Sequence, residues 1–142
     1  QNISFDNICC LLPTAVLINS KHLISGFNAF KKNKNKFLIG VCKFPSPPQK
    51  GFILKKNSSI KLFNKNRLFN KTQSYQEVYY DAGQFYWGSI KSYLEYDDFR
   101  KIYSNNKSVG FVLKEKETQD IDDIEDFKLA KIKFNHLYNR KK

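Results

Sequence analysis

Two short apolar runs restrict the folds that are open to this chain. ICCLL (residues 8–12) and FLIGVCKF (37–44) have the pattern of strands buried on both faces of a sheet. Between them, Ser20 is a residue type that favours helix N-caps. Apolar side chains then recur at helical spacing: Leu23, Ile24, Phe27 and Phe30. Strand, helix and strand in this order predict a βαβ unit and therefore a parallel sheet.

The middle of the chain carries a different pattern. PSPPQ (45–49) predicts a loop, because its prolines have no backbone N–H to donate in a helix or a sheet. GFILK (51–55) and SIKLF (59–63) follow as a predicted hairpin, and we expect residues 45–77 to form an arm for dimerisation and substrate binding. Further elements are predicted from their apolar patterns, namely strands at 78–88 and 108–113 and helices at 92–103 and from Ile124 onward.

These elements predict an α/β protein: a three-layer sandwich with a mostly parallel sheet and a small hairpin arm. The 142 residues have room for one domain, spanning residues 1–142. Because the chain contains no methionine, we interpret it as the later part of a longer protein, with a sheet incomplete at its N-terminus.

Charge and cysteine content limit the functional classes. The 25 Lys and Arg residues against 13 acidic ones give a net charge of +12, yet the lysines alternate with asparagines, as in KKNKNK (31–36). This favours a solvated basic surface over a nucleic-acid site, although a polyanion-binding module remains an alternative. Three cysteines, two of them adjacent, favour free thiols in a reducing cytoplasm, and no apolar run is long enough to span a membrane.

Five of the 13 acidic residues fall between Asp120 and Asp126, where the last helix begins. Acidic side chains in a first helical turn are stabilised by the helix dipole, which accounts for Asp123, Glu125 and Asp126. Asp122 is the predicted N-cap, with Glu125 three residues on in a capping-box arrangement.

Asp120 and Asp122 suggest a further role. They flank Ile121 after a predicted strand, and alternate residues of a strand point to the same side. The carboxyl ends of strands are where open α/β sheets bind ligands. Two carboxylates on one side suit Mg²⁺, which takes one or two protein oxygens and completes its shell with phosphate and water. The spacing therefore indicates a candidate metal site.

Four segments in order resemble the acylneuraminate-type cytidylyltransferases, most closely those for pseudaminic acid. They are NICCLLPTAVLI, FPSPPQKGF, DAGQFYWG and QDIDDIEDFKLAK. The resemblance covers nearly the whole chain and implies transfer of CMP from CTP to a nine-carbon keto sugar acid, with Mg²⁺ held by Asp120 and Asp122 in a catalytic role through the metal. It also implies a cytoplasmic homodimer whose partners are CTP and the sugar, without nucleic acid or membrane.

The resemblance also implies a sugar site. Lys50 and Lys71 match basic positions that contact the acid sugar, and Lys71 stands where the family pattern has Arg. In DAGQFYWG, Asp81 and Gln84 are candidates to bond sugar hydroxyls or an acetamido group, with Phe85 as an apolar wall. The alternative is that the aromatic side chains of this strand are core and only Gln84 faces solvent. Within the strand, Gly83 indicates close approach of a ligand or another backbone.

Two further features concern the choice of sugar and the CTP-binding part of the site. Pro13 and Thr14 match a turn that lines the sugar site, and Leu12 stands where sialic acid enzymes carry Gln, which favours pseudaminic acid. N-acetylneuraminate, legionaminate and a deoxyoctulosonate remain alternative substrates. The Gly-, Arg- and Lys-containing loop with which the family binds the CTP phosphates has no counterpart here. We therefore expect this chain alone to be inactive.

Overall fold

A computed structural model describes residues 4–33, 37–64, 75–95, 99–103 and 107–138. The protein is an α/β protein with three helices and six strands in the described residues, which confirms the predicted class. The helices are α1 (Ser20–Lys32), α2 (Ile90–Glu95) and α3 (Ile124–Tyr138). The strands are β1 (Asn7–Leu11), β2 (Phe37–Lys43), β3 (Phe52–Leu54), β4 (Ile60–Leu62), β5 (Tyr79–Ser89) and β6 (Ser108–Leu113).

Four strands form a mixed sheet in the order β1-β5-β2-β6. β1 runs antiparallel to β5, and β2 runs parallel to β6. The two apolar runs of the predicted βαβ unit both form strands, but β5 lies between them. β2 is buried over most of its length, as predicted, whereas β1 at the sheet edge is half exposed. An apolar run thus identifies a strand without fixing its place in the sheet.

Aromatic packing joins α1 to the sheet. The rings of Phe27 and Phe30 on α1 lie 4.9 and 6.4 Å from the Trp87 ring of β5. On the other side of the same strand, Tyr86 joins a buried cluster with Phe37, Ile39 and Ile102. Because alternate residues of β5 point to opposite faces, one strand contributes to both groups.

Two predicted helix starts differ from the structure by one residue. Asn19, and not Ser20, caps α1, and its side chain accepts hydrogen bonds from the backbone N–H groups of Lys21 and His22. At α3, Asp123 rather than Asp122 accepts the bonds from the backbone N–H groups of Glu125 and Asp126, at 2.8 and 2.9 Å. The chemistry of the caps is as predicted, but neighbouring Asn, Ser and Asp residues are all competent caps.

The predicted helix 92–103 is shorter than expected. α2 ends at Glu95, and Phe99–Tyr103 forms a 3₁₀ helix, with residues 96–98 outside the described part. None of the helices in the described ranges has the length and apolar composition needed to cross a bilayer.

The described residues separate into two compact units. The first contains the chain up to Cys42 and from Asp81 onward, and the second spans Lys43–Tyr80. Within the second unit, β3 and β4 pair antiparallel as the predicted hairpin. The proposed role of residues 45–77 as a dimerisation and substrate arm stays a prediction.

Candidate functional site

Three segments of the first unit converge on Gln84 in β5. The backbone N–H of Leu12, just after β1, donates to the Gln84 carbonyl at 2.9 Å. The Gln84 side-chain nitrogen donates to the Gln119 carbonyl at 3.2 Å, in the loop that follows β6. The turn after β1, the middle of β5 and the loop before α3 therefore meet at the carboxyl ends of β1 and β6. This is the position at which α/β sheets bind ligands.

Gly83 is the point of closest contact between β5 and the acidic cluster. Its φ of +59° lies in the left-handed region, which favours glycine. A Cβ at this position would lie 3.0 Å from Oδ1 and 3.2 Å from Oδ2 of Asp120. The close neighbour of Gly83 is therefore the Asp120 carboxylate, a side chain, and not the ligand or second backbone expected from the sequence.

Asp81 holds this part of β5 in place. Its Oδ1 accepts a 3.0 Å bond from the Gly83 backbone N–H, and its Oδ2 accepts bonds from the hydroxyls of Tyr86 (2.9 Å) and Tyr103 (2.5 Å). Burial, together with the hydrogen bond to Asp81, raises the pKa of Tyr103 to about 12. Both carboxylate oxygens thus accept bonds from the chain, so Asp81 shapes this part of β5.

Gln84 is fully buried, so the expectation of a solvent-facing amide does not match its position. Its side-chain nitrogen donates to the carbonyls of Ala82, Gly83 and Gln119 at 2.8, 3.1 and 3.2 Å. Its Oε1 is buried and has no hydrogen-bond partner among the described residues. The amide therefore connects β5 to the loop that carries Asp120.

Phe85 and the Pro13–Thr14 turn occupy different environments. The Phe85 ring is fully buried, next to Gly26 and 5.8 Å from the Phe111 ring, which places it in the core and not on the wall of an open site. Pro13 is exposed and Thr14 half-buried in the turn after β1, which is held by the bond from the Ala15 N–H to the Leu12 carbonyl at 3.0 Å. The turn is accessible beside Gln84.

Asp120 and Asp122 are both exposed, but the segment that carries them is not a strand. β6 ends at Leu113, a 3₁₀ turn spans Glu115–Glu117, and irregular chain follows. The predicted alternation along a strand is therefore wrong. Partial burial and then the charge of Asp122 raise the pKa of Asp120. Across the described ranges, no cluster of three or more His, Cys, Asp or Glu side chains suits a metal ion.

Two residues that the sequence did not single out organise this loop. Lys133 of α3 donates from its ammonium to the carbonyl of Thr118 and to Oε1 of Gln119, at 2.7 and 3.0 Å. Gln119 in turn donates from Nε2 to Oδ1 of Asp126 at 3.1 Å. The seven-residue spacing between Asp126 and Lys133, which places both on one face of a helix, is the sequence signal for this arrangement.

The second unit contains Lys50 and a separate cavity. The Lys50 ammonium lies 5.6 Å from the centre of the Tyr75 ring, a cation–π distance. A cavity of about 440 Å³ is lined by the proline-rich turn after β2 and by Tyr75–Val78. Lys71 lies outside the described residues.

No protein-family model matches this chain. The chain is similar to two curated proteins, both named pseudaminic acid cytidylyltransferase. Both are from Campylobacter jejuni subsp. jejuni, one of serotype O:2 and the other of serotype O:23/36. Each is 38% identical over 138 residues, which is 96% of this chain. The chain spans 58% of the length of these relatives. The resemblance expected from the four sequence segments is thereby confirmed.

Proposed function

We propose that this chain is part of a pseudaminic acid cytidylyltransferase, which transfers CMP from CTP to the nine-carbon keto sugar acid and releases pyrophosphate. The observation that carries the proposal is the 38% identity with two enzymes of that name along 96% of the chain. The meeting of the Pro13–Thr14 turn, Gln84 and Asp120 at the carboxyl ends of strands supports it, because substrates of α/β enzymes bind there.

The Asp120–Asp122 pair fits a hard divalent cation. Both carboxylates are exposed, and partial burial followed by the charge of Asp122 raises the pKa of Asp120. Mg²⁺ commonly takes only one or two protein carboxylates and completes its octahedron with phosphate and water, so a third protein ligand is not required. We therefore assign Asp120 and Asp122 as its ligands. When bound, the ion supplies charge neutralisation at the triphosphate and activation of the attacking sugar hydroxyl.

The chain's own residues hold this pair and receive the sugar. Gly83 gives the Asp120 carboxylate room against β5, and Asp81 keeps Gly83 in its left-handed conformation. The accessible Pro13–Thr14 turn lines the sugar site. Gln84 contributes by fixing the Gln119 carbonyl, one residue before the first metal ligand. Asp81 and Gln84 thus shape the site, and their direct contact with the sugar stays a prediction.

The second unit contains a candidate lysine for the sugar carboxylate and a candidate surface for a subunit contact. Lys50, and Lys71 outside the described residues, are proposed to pair with the sugar carboxylate. The hairpin exposes a series of large apolar side chains, namely Phe52, Ile53, Leu54, Ile60 and Phe63. Exposed apolar surface of this kind marks interaction sites, which supports a homodimer formed through residues 45–77.

The remaining features of the proposal concern the whole enzyme. It is a three-layer α/β sandwich with a mostly parallel sheet, to which this chain contributes the mixed four-stranded part. The reaction takes place in the cytoplasm, and neither nucleic acid nor a membrane takes part.

A substrate panel tests the proposal. The gene product that carries this sequence, expressed from its natural start, is incubated with CTP, Mg²⁺ and one acid sugar at a time, and pyrophosphate release is measured. We expect release with pseudaminic acid, and at least tenfold slower release with N-acetylneuraminate, legionaminate or a deoxyoctulosonate. A preference for one of those sugars would reassign the substrate. Absence of release with all four, together with salt-dependent oligonucleotide binding, would favour the polyanion-binding alternative.

A further inference from the structure

One face of α3 is directed at the loop that carries Asp120 and Asp122. Asp126, Ala130 and Lys133 are spaced by four and three residues, and they therefore lie on the same side of the helix. Ala130 is buried, and the helix packs against the 3₁₀ turn Glu115–Glu117. The polar residues at either end of this face are in contact with the loop and are not simply solvated.

Lys133 uses its whole ammonium group for this contact. Its Nζ donates to the Glu115 carbonyl at 3.1 Å, to the Thr118 carbonyl at 2.7 Å and to Gln119 Oε1 at 3.0 Å. An ammonium has three N–H donors, so all three are satisfied. Each acceptor is a neutral oxygen, and no carboxylate of the described residues forms an ion pair with Lys133. Lys133 therefore lies near an acidic cluster but bonds only neutral oxygens, which indicates that it holds the loop in place and does not neutralise a carboxylate by direct pairing.

Hydrogen bonds made by Gln119 and Asp126 connect Lys133 and α3 with the backbone of both aspartates. Gln119 Nε2 donates to the Asp120 carbonyl at 2.9 Å and to Asp126 Oδ1 at 3.1 Å. The second oxygen of Asp126 accepts the Asp122 backbone N–H at 3.2 Å. The backbone of Asp120 and that of Asp122 are therefore both tied to α3, while their side chains stay exposed.

We propose that Lys133 is a positioning residue: through its three hydrogen bonds to residues 115–119 it sets the geometry with which Asp120 and Asp122 take up a divalent cation. The cation-binding part of this inference rests on the proposed function, whereas the ordering of the loop by Lys133 does not. Lys133 itself touches neither the cation nor the substrates.

The test compares Lys133→Met, which keeps the length of the side chain but removes its donors, with Lys128→Met as the matched control. Lys128 lies on the same helix and pairs with exposed Glu125. Hydrogen–deuterium exchange is measured on both variants of the gene product. The Mg²⁺ concentration for half-maximal activity and the dissociation constant for Mn²⁺ are measured as well.

For Lys133→Met we expect at least tenfold faster exchange confined to residues 115–122. We also expect a five- to tenfold rise in the half-maximal Mg²⁺ concentration and the Mn²⁺ dissociation constant, with kcat at saturating metal within twofold of wild type. Lys128→Met leaves all three unchanged. Gln119→Leu removes one of the three acceptors together with the bonds to the Asp120 carbonyl and to Asp126, so it shifts the same quantities in the same direction and serves if Lys133→Met does not fold.

Two results would overturn the proposal. Unchanged exchange of residues 115–122 in Lys133→Met would show that Lys133 does not order the loop. Faster exchange without any change in metal dependence would show that the ordering does not serve the aspartates. If the wild-type protein binds no metal and releases no pyrophosphate while the exchange result holds, the proposed function fails and the ordering role of Lys133 stands alone.

Discussion

Two substitutions of Gly83 distinguish the cost of its left-handed backbone from the effect of a Cβ on Asp120. At φ +59°, a residue with a Cβ pays about 1–2 kcal/mol for the left-handed conformation, whereas Asn visits this region more readily. We therefore expect Gly83→Ala to lower the free energy of unfolding by about 1–2 kcal/mol, and Gly83→Asn by clearly less.

Both substitutions also introduce a Cβ only 3.0 Å from Asp120 Oδ1, which is closer than a carboxylate normally comes. The exposed side chain of Asp120 has room to move by a few tenths of an ångström, so this contact costs little stability but displaces the proposed metal ligand. Hence Gly83→Ala and Gly83→Asn should weaken Mn²⁺ binding by a similar factor, about threefold or more, although their stabilities differ.

Urea unfolding of the two variants and a Mn²⁺ titration followed by electron paramagnetic resonance measure the two effects. Equal loss of stability in both variants would refute the argument from φ. Unchanged Mn²⁺ affinity in both would refute the argument that Gly83 provides the space for Asp120.

Three further predictions concern side chains around the site. Asp81→Asn replaces an oxygen that accepts charge-assisted hydrogen bonds and should lower the free energy of unfolding by about 2–4 kcal/mol. Tyr103→Phe removes only one of those bonds and should lower it by about 1 kcal/mol. Equal losses of stability in urea unfolding would contradict the role of Asp81 as the shared acceptor. Phe85→Ala empties a fully buried position and should lower the free energy of unfolding by about 3–5 kcal/mol, against less than about 1 kcal/mol for the exposed Phe5→Ala by the same measurement. A raised pKa means that folded Asp120 holds its proton more tightly than the unfolded chain, so its ionisation destabilises the fold as the pH rises past the ordinary Asp value of about 3.9. Asp120→Asn should therefore raise the melting temperature at pH 7 but not at pH 3, and a shift of the same size at both values would count against this.

The local elements were predictable because their signals are local. The apolar runs at 8–12 and 37–44 form β1 and β2, and the spacing after Ile124 forms α3. Gly83 was correctly singled out, because a glycine within a strand of large residues indicates a close approach.

The long-range arrangement was not predictable from these patterns. β5 is inserted between β1 and β2 by pairing across many residues, and no local pattern encodes that order. The strand predicted at 108–113 does end at Leu113, but the Glu115–Glu117 turn separates it from Asp120 and Asp122. The two aspartates therefore do not lie on a strand, and the alternation expected of them does not apply.

Side-chain roles within the site were the least predictable. Gln84 has the composition of a ligand-binding amide, yet its hydrogen bonds go to three backbone carbonyls that only the folded chain brings together. Lys133 is one of 25 basic residues, and only its contact with the loop before α3 distinguishes it from the solvated lysines.

³¹P nuclear magnetic resonance of the gene product, incubated with CTP, pseudaminic acid and Mg²⁺, follows the proposed transfer itself. We expect the loss of the CTP triphosphate signals and the growth of pyrophosphate and of one phosphodiester signal, that of the CMP-sugar. We also expect Asp120→Asn/Asp122→Asn to slow this conversion at least a hundredfold while the protein stays folded. Full conversion by the double variant, or no phosphodiester signal from the wild-type protein, would contradict the proposed function.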